Sequence, residues 1–195
     1  GSTDLWGVMH KPSDFNAQQK YPVILALYGA PHRTESPKAF AEFVNYSCQG
    51  VRALAEMGFI VVTLDPRGTP LRSKVFQDEG FGNFQSGGGI NDQVATLKQL
   101  AARHPWMDLT RVGITGTSGG GFASARAMLS HPDFFQVAVA NAGSYDYRGY
   151  NAIWAESYQG LLQGDNFSEQ ACIHHVQHLK GKLLLVHGDM DANVH

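Results

Sequence analysis

The strongest indication of how this chain folds is the segment Gly116-Thr117-Ser118-Gly119-Gly120. It follows an apolar run at residues 112–115 that is typical of a buried strand, and it leads into a helical pattern at residues 120–130. A serine in a sharp turn from strand to helix exposes its hydroxyl at the edge of a sheet, and the flanking glycines leave room for the turn. The N-terminus of the following helix favours developing negative charge. The pattern therefore predicts that Ser118 is a nucleophile.

Two other kinds of glycine-rich turn do not fit this stretch. A phosphate-binding P-loop needs a Gly-Lys pair followed by Ser or Thr, and the stretch contains no lysine. A dinucleotide-binding fingerprint needs the pattern G-x-G-x-x-G, from which the spacing of Gly116, Gly119 and Gly121 differs. A turn that only joins a strand to a helix stays open as the structural alternative.

Apolar runs that indicate buried strands alternate with helical patterns along the chain. The predicted strands are residues 23–28, 59–64, 112–115, 137–140 and 183–187, and the predicted helices are residues 48–57, 91–103, 120–130 and 168–178. This alternation predicts an α/β fold with a mainly parallel sheet, helices on both faces and functional residues at the carboxyl ends of the strands. A chain of 195 residues is expected to form one domain, residues 1–195.

Composition and charge argue against several classes of function. With a net charge of -2 and scattered Lys and Arg, the chain has no basic stripe for a nucleic-acid partner. The longest apolar runs, such as residues 23–27, are far shorter than the about 20 residues of a membrane span. Cys48 and Cys172 have no CxxC spacing, so we expect buried free thiols; they leave the compartment, periplasm or cytoplasm, undecided.

A serine nucleophile needs a base, and the base needs an orienting carboxylate. In folds with this kind of turn, the chain order is Ser, then Asp or Glu, then His. The last predicted strand leads into a loop with two aspartates, and we predict that Asp191 is the acid. Asp189 is the local competitor, because spacing alone does not separate the two. Two carboxylates without a clear third ligand are weak support for a metal site, so we predict none.

No histidine of the chain suits the role of the base. The base should follow the next helix and strand, a few tens of residues beyond the acid. Only four residues follow Asp191, and His195 is too near it in sequence. We therefore expect the catalytic histidine to lie outside this chain and His187 to be buried at its strand end. A sheet that ends at residues 183–187 would have an unpaired apolar edge, which predicts a homodimer or domain exchange.

Four spaced stretches carry a resemblance to a known family. They are Lys20-Tyr21-Pro22 before a strand that ends in Tyr28-Gly29-Ala30-Pro31-His32, then Asp65-Pro66-Arg67-Gly68-Thr69, then the Ser118 stretch, then His187-Gly188 with Asp191. From about Trp6 to the end, the chain resembles the prolyl oligopeptidase family, in its dipeptidyl peptidase IV-like branch. The resemblance implies an α/β-hydrolase fold, here lacking the last helix and strand. It also implies an N-terminal β-propeller in the parent protein, which this sequence does not include.

The resemblance further implies roles for individual residues. The hydroxyl of Tyr28 and the N–H of Gly119 would form the oxyanion hole, although the closest branch often has tyrosine at the position of Gly119. The substrate pocket would be lined by Tyr150 and Trp154, joined by Val194, and Asn193 would contact the substrate backbone. His32 is expected to shape the cleft.

The predicted function is that of a serine peptidase acting on short peptides. The resemblance implies a dipeptidyl-peptidase-like enzyme with a preference for proline or a small residue before the cleaved bond. Aromatic faces around a small slot are compatible with compact rings. A Ser-Asp-His triad and an acyl-enzyme would do the chemistry without a cofactor, and the isolated chain would be inactive for lack of the histidine. The alternative is a carboxylesterase or acyl hydrolase on the same fold. The structural alternative for these aromatics is that they only pack their loop onto the sheet.

Overall fold

A computed structural model of the chain describes residues 3–29, 31–36, 50–83 and 89–195. Three parts of the predictions lie outside the described residues. They are the thiol of Cys48, the first two residues of the helix predicted at residues 48–57, and Ala30 in the stretch that begins at Tyr28.

Within the described residues, a mixed sheet of six strands forms the centre of the fold, in the order β1-β3-β2-β4-β5-β6. The strands are β1 Trp6–His10, β2 Tyr21–Ala26, β3 Ile60–Asp65, β4 Met107–Thr117, β5 Val137–Asn141 and β6 Lys182–Val186. Only the β1–β3 pair of this sheet is antiparallel; the other four pairs are parallel. Parallel pairing brings the carboxyl ends of β2, β4, β5 and β6 to one edge.

Helices cover both faces of the sheet, as predicted for this α/β fold. The α-helices are α1 Val51–Glu56, α2 Lys74–Asp78, α3 Ile90–Arg103, α4 Gly119–Ser130 and α5 Ala152–Gln159. Side chains alternate between the two faces along β2, since Val23 and Leu25 join the core beneath α3 and α4. Ala26 packs instead with Val51 and Ala55 of α1 on the opposite face. Such two-sided burial explains why the inner strands are continuous apolar runs.

The segment predicted as one helix at residues 168–178 has a different structure. It forms two 3₁₀-helices, Ser168–Gln170 and Cys172–His178, so the prediction was wrong about the helix type and its continuity. Ala171 has extended backbone between them. The N–H of Cys172 donates to the carbonyl oxygen of Tyr145 at 2.9 Å, which ties the segment to a loop and breaks the helical hydrogen-bond ladder.

Strand β6 forms one edge of the sheet and exposes apolar side chains. Leu184, Leu185 and Val186 are 56%, 53% and 45% exposed. His187, which was predicted to be buried, is exposed, with 30% of its side-chain area accessible. The prediction was wrong because no described element covers the outer side of this strand end. Homodimer formation and domain exchange stay predictions.

The described helices are short. The longest, α3, has 14 residues. Within the described ranges, no helix has the length and apolar character needed to cross a bilayer.

Candidate active site

Ser118 lies in the turn between β4 and α4 and has an unusual backbone conformation. Its φ is 60° and its ψ is -117°, a region that residues with a side chain rarely adopt. Its N–H donates to the carbonyl oxygen of Asn141 at 2.9 Å, and its own carbonyl oxygen accepts from the N–H of Gly121 at 2.9 Å. Bonds to β5 on one side and to α4 on the other hold the strained turn in place.

Glycines allow the elements around Ser118 to approach closely. A Cβ atom built on Gly116 would lie 2.3 Å from the carbonyl oxygen of Leu27, and one built on Gly120 would meet the same oxygen at 2.3 Å. A Cβ atom on Gly121 would lie 2.3 Å from the carbonyl oxygen of Asn141. Any larger residue would push the start of α4 away from the ends of β2 and β5. The steric argument made from the sequence therefore has a concrete basis in these contacts.

The same close packing brings Tyr28 next to the turn. The Cα of Tyr28 is 3.1 Å from a Cβ built on Gly120, so the end of β2 touches the first turn of α4. Gly119 is the first residue of α4, a position at which a helix provides no carbonyl partner for the N–H group. Both residues proposed from the sequence to supply oxyanion donors therefore lie beside the turn that carries Ser118.

A small cavity of about 20 Å³ opens at Ser118. This is room for about one water molecule. The cavity is lined by Tyr28, Ser118, Gly119, Ser144, Tyr147, Tyr150, Trp154 and Val194. It contains all the residues predicted for the nucleophile, the oxyanion hole and the pocket except Asn193. Ser144 and Tyr147 were not predicted, although Tyr147 lies three residues before Tyr150 in the sequence.

The aromatic side chains of the cavity support one another. Tyr147 stacks on Trp154 with ring centroids 5.3 Å apart, and Tyr150 meets Trp154 edge-on at 5.5 Å. Tyr147 is buried, and burial raises the pKa of its hydroxyl well above the ordinary value. The hydroxyl therefore stays neutral, and the rings form a fixed apolar wall.

His32 connects this aromatic wall to Tyr28. Its ring meets Tyr28 edge-on at 5.4 Å and Trp154 edge-on at 6.0 Å, and it stacks on Tyr158 at 5.7 Å. Partial burial lowers the pKa of His32, and the nearby guanidinium of Arg33 lowers it further. His32 packs against these aromatics but is not among the residues that line the cavity, so its role in shaping the cleft stays a prediction.

The two aspartates in the loop after β6 differ in their contacts and exposure. Asp191 Oδ1 accepts hydrogen bonds from the N–H groups of Asn193 and Val194, both at 2.9 Å. The Val194 and Asn193 bonds are the main reasons that the pKa of Asp191 lies below its ordinary value. Asp189, in contrast, is exposed. The geometry favours Asp191 over Asp189 as a carboxylate that is held in a fixed position.

The second oxygen of Asp191 stays available. Among the described residues, Oδ2 accepts no hydrogen bond; its nearest basic neighbour, His187 Nε2, is 3.8 Å away. That Nε2 group donates instead to the carbonyl oxygen of Val194 at 2.7 Å. Oδ2 can therefore accept a hydrogen bond from a further residue.

Comparison with known proteins gives this arrangement its context. Residues 45–195 match the model of the prolyl oligopeptidase family. The chain belongs to this family. The predicted resemblance and the α/β-hydrolase fold are thereby confirmed, and the chain is related to a family of serine peptidases.

Individual members of the family are similar to this protein over nearly the whole length of the chain. Human dipeptidyl peptidase 8 is 33% identical over 211 aligned residues, which cover 98% of this chain. Dipeptidyl peptidase 4 of Trichophyton equinum is 32% identical and covers 94% of it. The crystal structure of Porphyromonas gingivalis dipeptidyl peptidase 4 superposes with a TM-score of 0.82 over 98% of the chain, at 27% identity. The chain spans 21%, 24% and 26% of the length of these prolyl oligopeptidase relatives.

Metal ligands are also relevant to a hydrolase site. In the part of the chain that the structure describes, no three His, Cys, Asp or Glu side chains come together to hold an ion. His174 and His178, which are four residues apart, lie on the exposed side of a 3₁₀-helix.

Proposed function

We propose that the protein containing this chain is a serine peptidase that releases dipeptides from short peptides. The observation that carries the proposal is the position of Ser118, which stands in a strained turn at the mouth of an aromatic cavity. Gly119 and Tyr28 line the same cavity. The names of the related dipeptidyl peptidases favour a peptide substrate over other acyl compounds.

Ser118 would attack the carbonyl carbon of the scissile bond through Oγ. A base would take the hydroxyl proton and deliver it to the leaving amine, and water would then hydrolyse the acyl-enzyme. The negative charge that develops on the carbonyl oxygen would be stabilised by the Gly119 N–H and the Tyr28 hydroxyl. Each such donor contributes about 3 kcal/mol to transition-state stabilisation in comparable sites.

Asp191 would orient the base. With Oδ1 held by two backbone N–H groups, the carboxylate is rigid, and its free Oδ2 can accept the N–H of an imidazole. Among the described histidines, His187 comes within 3.8 Å of Oδ2, but its Nε2 already donates to Val194. We therefore place the catalytic histidine in a part of the protein outside this sequence, so that the isolated chain is inactive.

The pocket would select a compact apolar residue before the cleaved bond. The cavity of about 20 Å³ leaves little room for a long side chain, because four aromatic residues and the buried side chain of Val194 line it: Tyr28, Tyr147, Tyr150 and Trp154. A proline ring suits aromatic walls because it is compact, rigid and able to stack on their faces, and the cavity would widen to admit it. Asn193 is exposed and absent from the cavity lining, so a contact with the substrate backbone would require the substrate to extend beyond the cavity.

The alternative function, a carboxylesterase or acyl hydrolase, would use the same residues. A serine nucleophile with an oxyanion hole and an acid can act on esters as well as on amides. The two functions are separated by assaying the full-length protein on Gly-Pro and Ala-Pro p-nitroanilides and on a short acyl ester. We expect the anilides to be preferred in kcat/KM. The reverse ranking would establish the esterase instead.

Two controls make the assay specific. Ser118→Ala should lower kcat by at least about 10⁴-fold, whereas Ser157→Ala, on the exposed side of α5, should leave it unchanged. A fluorophosphonate probe should label Ser118 slowly in the isolated chain and rapidly in the full-length protein. Rapid stoichiometric labelling of the isolated chain would show that a base is present within it.

A further inference from the structure

The peptide groups of Val194 are held from both sides. Its N–H donates to Asp191 Oδ1 at 2.9 Å, and its carbonyl oxygen accepts from His187 Nε2 at 2.7 Å. Its side chain is only 3% exposed and forms part of the cavity wall beside Ser118. The position of this wall therefore depends on two hydrogen bonds outside the cavity.

The hydrogen bond from His187 to Val194 connects the loop at residues 188–194 to the end of β6. The other hydrogen bonds of this loop are local. The N–H of Asp191 donates to the carbonyl oxygen of Gly188, and Asp191 Oδ1 accepts from the N–H groups of Asn193 and Val194. His187 directly follows β6, and its bond to Val194 spans seven residues. The intervening residues are mostly exposed, with Met190 at 90%, so they provide little packing of their own. Without His187, the loop has no other side-chain hydrogen bond to the strand end among the described residues.

The protonation of His187 follows from its partner. A carbonyl oxygen can only accept, so Nε2 must bear the hydrogen and, in the neutral ring, Nδ1 is the unprotonated nitrogen. Protonation of Nδ1 leaves the Nε2–H donor unchanged. The 3.8 Å separation between Nε2 and Asp191 Oδ2 is too long for a hydrogen bond. His187 therefore leaves Oδ2 free to accept a hydrogen bond from the proposed catalytic base.

We propose that His187 is a positioning residue that sets the selectivity of the substrate pocket by fixing Val194. It touches neither the substrate nor Ser118, and it acts through the carbonyl group of Val194. This inference rests on the proposed peptidase function and adds to it a residue that controls which side chain the pocket accepts.

The test compares two substrates in the full-length protein, Ala-Pro and Ala-Gly p-nitroanilides. Glycine has no side chain to contact Val194, so its cleavage serves as an internal reference. His187→Ala should lower the ratio of kcat/KM for proline over glycine by about tenfold, the effect of losing one hydrogen bond to a buried group. His187→Gln, whose amide can still donate, should keep the ratio within about threefold of the parent value.

A matched control separates the hydrogen bond from charge. His195 also lowers the pKa of Asp191 through its charge, but Val194 accepts its hydrogen bond from His187. His195→Ala should therefore leave the proline-to-glycine ratio unchanged. Equal losses on both substrates in His187→Ala, or the same change of ratio in His195→Ala, would overturn the positioning role.

A second readout is independent of catalysis. In hydrogen–deuterium exchange followed by mass spectrometry, the peptide covering residues 188–195 should exchange about tenfold faster in His187→Ala, and at the parent rate in His187→Gln. Unchanged exchange in His187→Ala would refute the positioning role of His187 even if activity changed. If the full-length parent protein cleaves neither anilide but the variants show the exchange rates expected above, the proposed function is contradicted. The finding that His187 holds the loop through Val194 would then still stand.

Discussion

The backbone of Gly120 lies so close to the end of β2 that a Cβ atom there would be 2.3 Å from the carbonyl oxygen of Leu27. This contact joins the first turn of α4 to the strand that leads into Tyr28. Because interiors are close-packed, the two elements cannot separate without loosening the core beneath them. The contact thus links the stability of the fold to the geometry of the nucleophile and of the proposed oxyanion donor.

Replacing this glycine should therefore be costly. Gly120→Ala is expected to reduce the free energy of unfolding by about 3 kcal/mol, since the new methyl group meets a backbone atom that cannot rotate away. Urea denaturation of the full-length protein, followed by tryptophan fluorescence, measures the change. Gly149→Ala is the matched control, because a Cβ there has no neighbour within 4 Å. Equal stabilities of the two variants would contradict the packing argument.

The two aspartates of the β6 loop should differ in their effect on catalysis. Asp191→Asn is expected to lower kcat by about 10⁴-fold, because an amide cannot orient and stabilise the protonated base as a carboxylate does. Asp189→Asn, at an exposed position of the same loop, should change kcat by less than about threefold. Steady-state kinetics on Ala-Pro p-nitroanilide distinguish them. A larger loss in Asp189→Asn would reassign the acid.

The Tyr28 hydroxyl should matter in the transition state and little in substrate binding. Tyr28→Phe keeps the ring contacts with His32 and removes the donor, so kcat should fall by about 10²- to 10³-fold while KM changes by less than about threefold. Tyr158→Phe alters another ring that packs against His32 and should have little effect on kcat. A rise in KM alone would show that Tyr28 binds substrate instead.

Cys172 should be unreactive in the folded protein. It is a buried free thiol, as predicted, and burial raises its pKa from 9.0 to about 12. Because the reactive form is the thiolate, a raised pKa keeps the native thiol protonated at pH 8 and up to strongly alkaline pH. In a Cys48→Ser variant of this chain, iodoacetamide should label Cys172 only after unfolding in guanidinium chloride. Rapid labelling of the folded variant at pH 8 would contradict the burial of this thiol.

Local sequence predicted the elements whose signals are themselves local. The helix that follows Ser118 and the runs that became β2, β3, β5 and β6 agree with the structure to within about two residues. Strand β1, helix α2 and helix α5 were missed. Strand β1 contains Gly7 and lies at the sheet edge, where pairing with β3 supports it without a continuous apolar run. At residues 168–178, the bond from Cys172 to Tyr145 overrode the helical periodicity, and no pattern within the segment could reveal a partner in a distant loop.

The serine in a strand-to-helix turn could be recognised from sequence, because the strand, the glycines and the helix that define this turn are adjacent along the chain. The residues that share its cavity could not, because the tertiary structure brings them together. Parallel pairing of β2, β4, β5 and β6 brings their carboxyl ends to one edge, so that Tyr28, Tyr147 and Val194 meet Ser118 across long stretches of chain. The packed structure also shows that Asp191 is held by backbone N–H groups, that Asp189 is exposed, and that His187 bonds to Val194. These distinctions depend on hydrogen-bond directions and burial, which arise when the chain packs and which residue type and spacing do not specify.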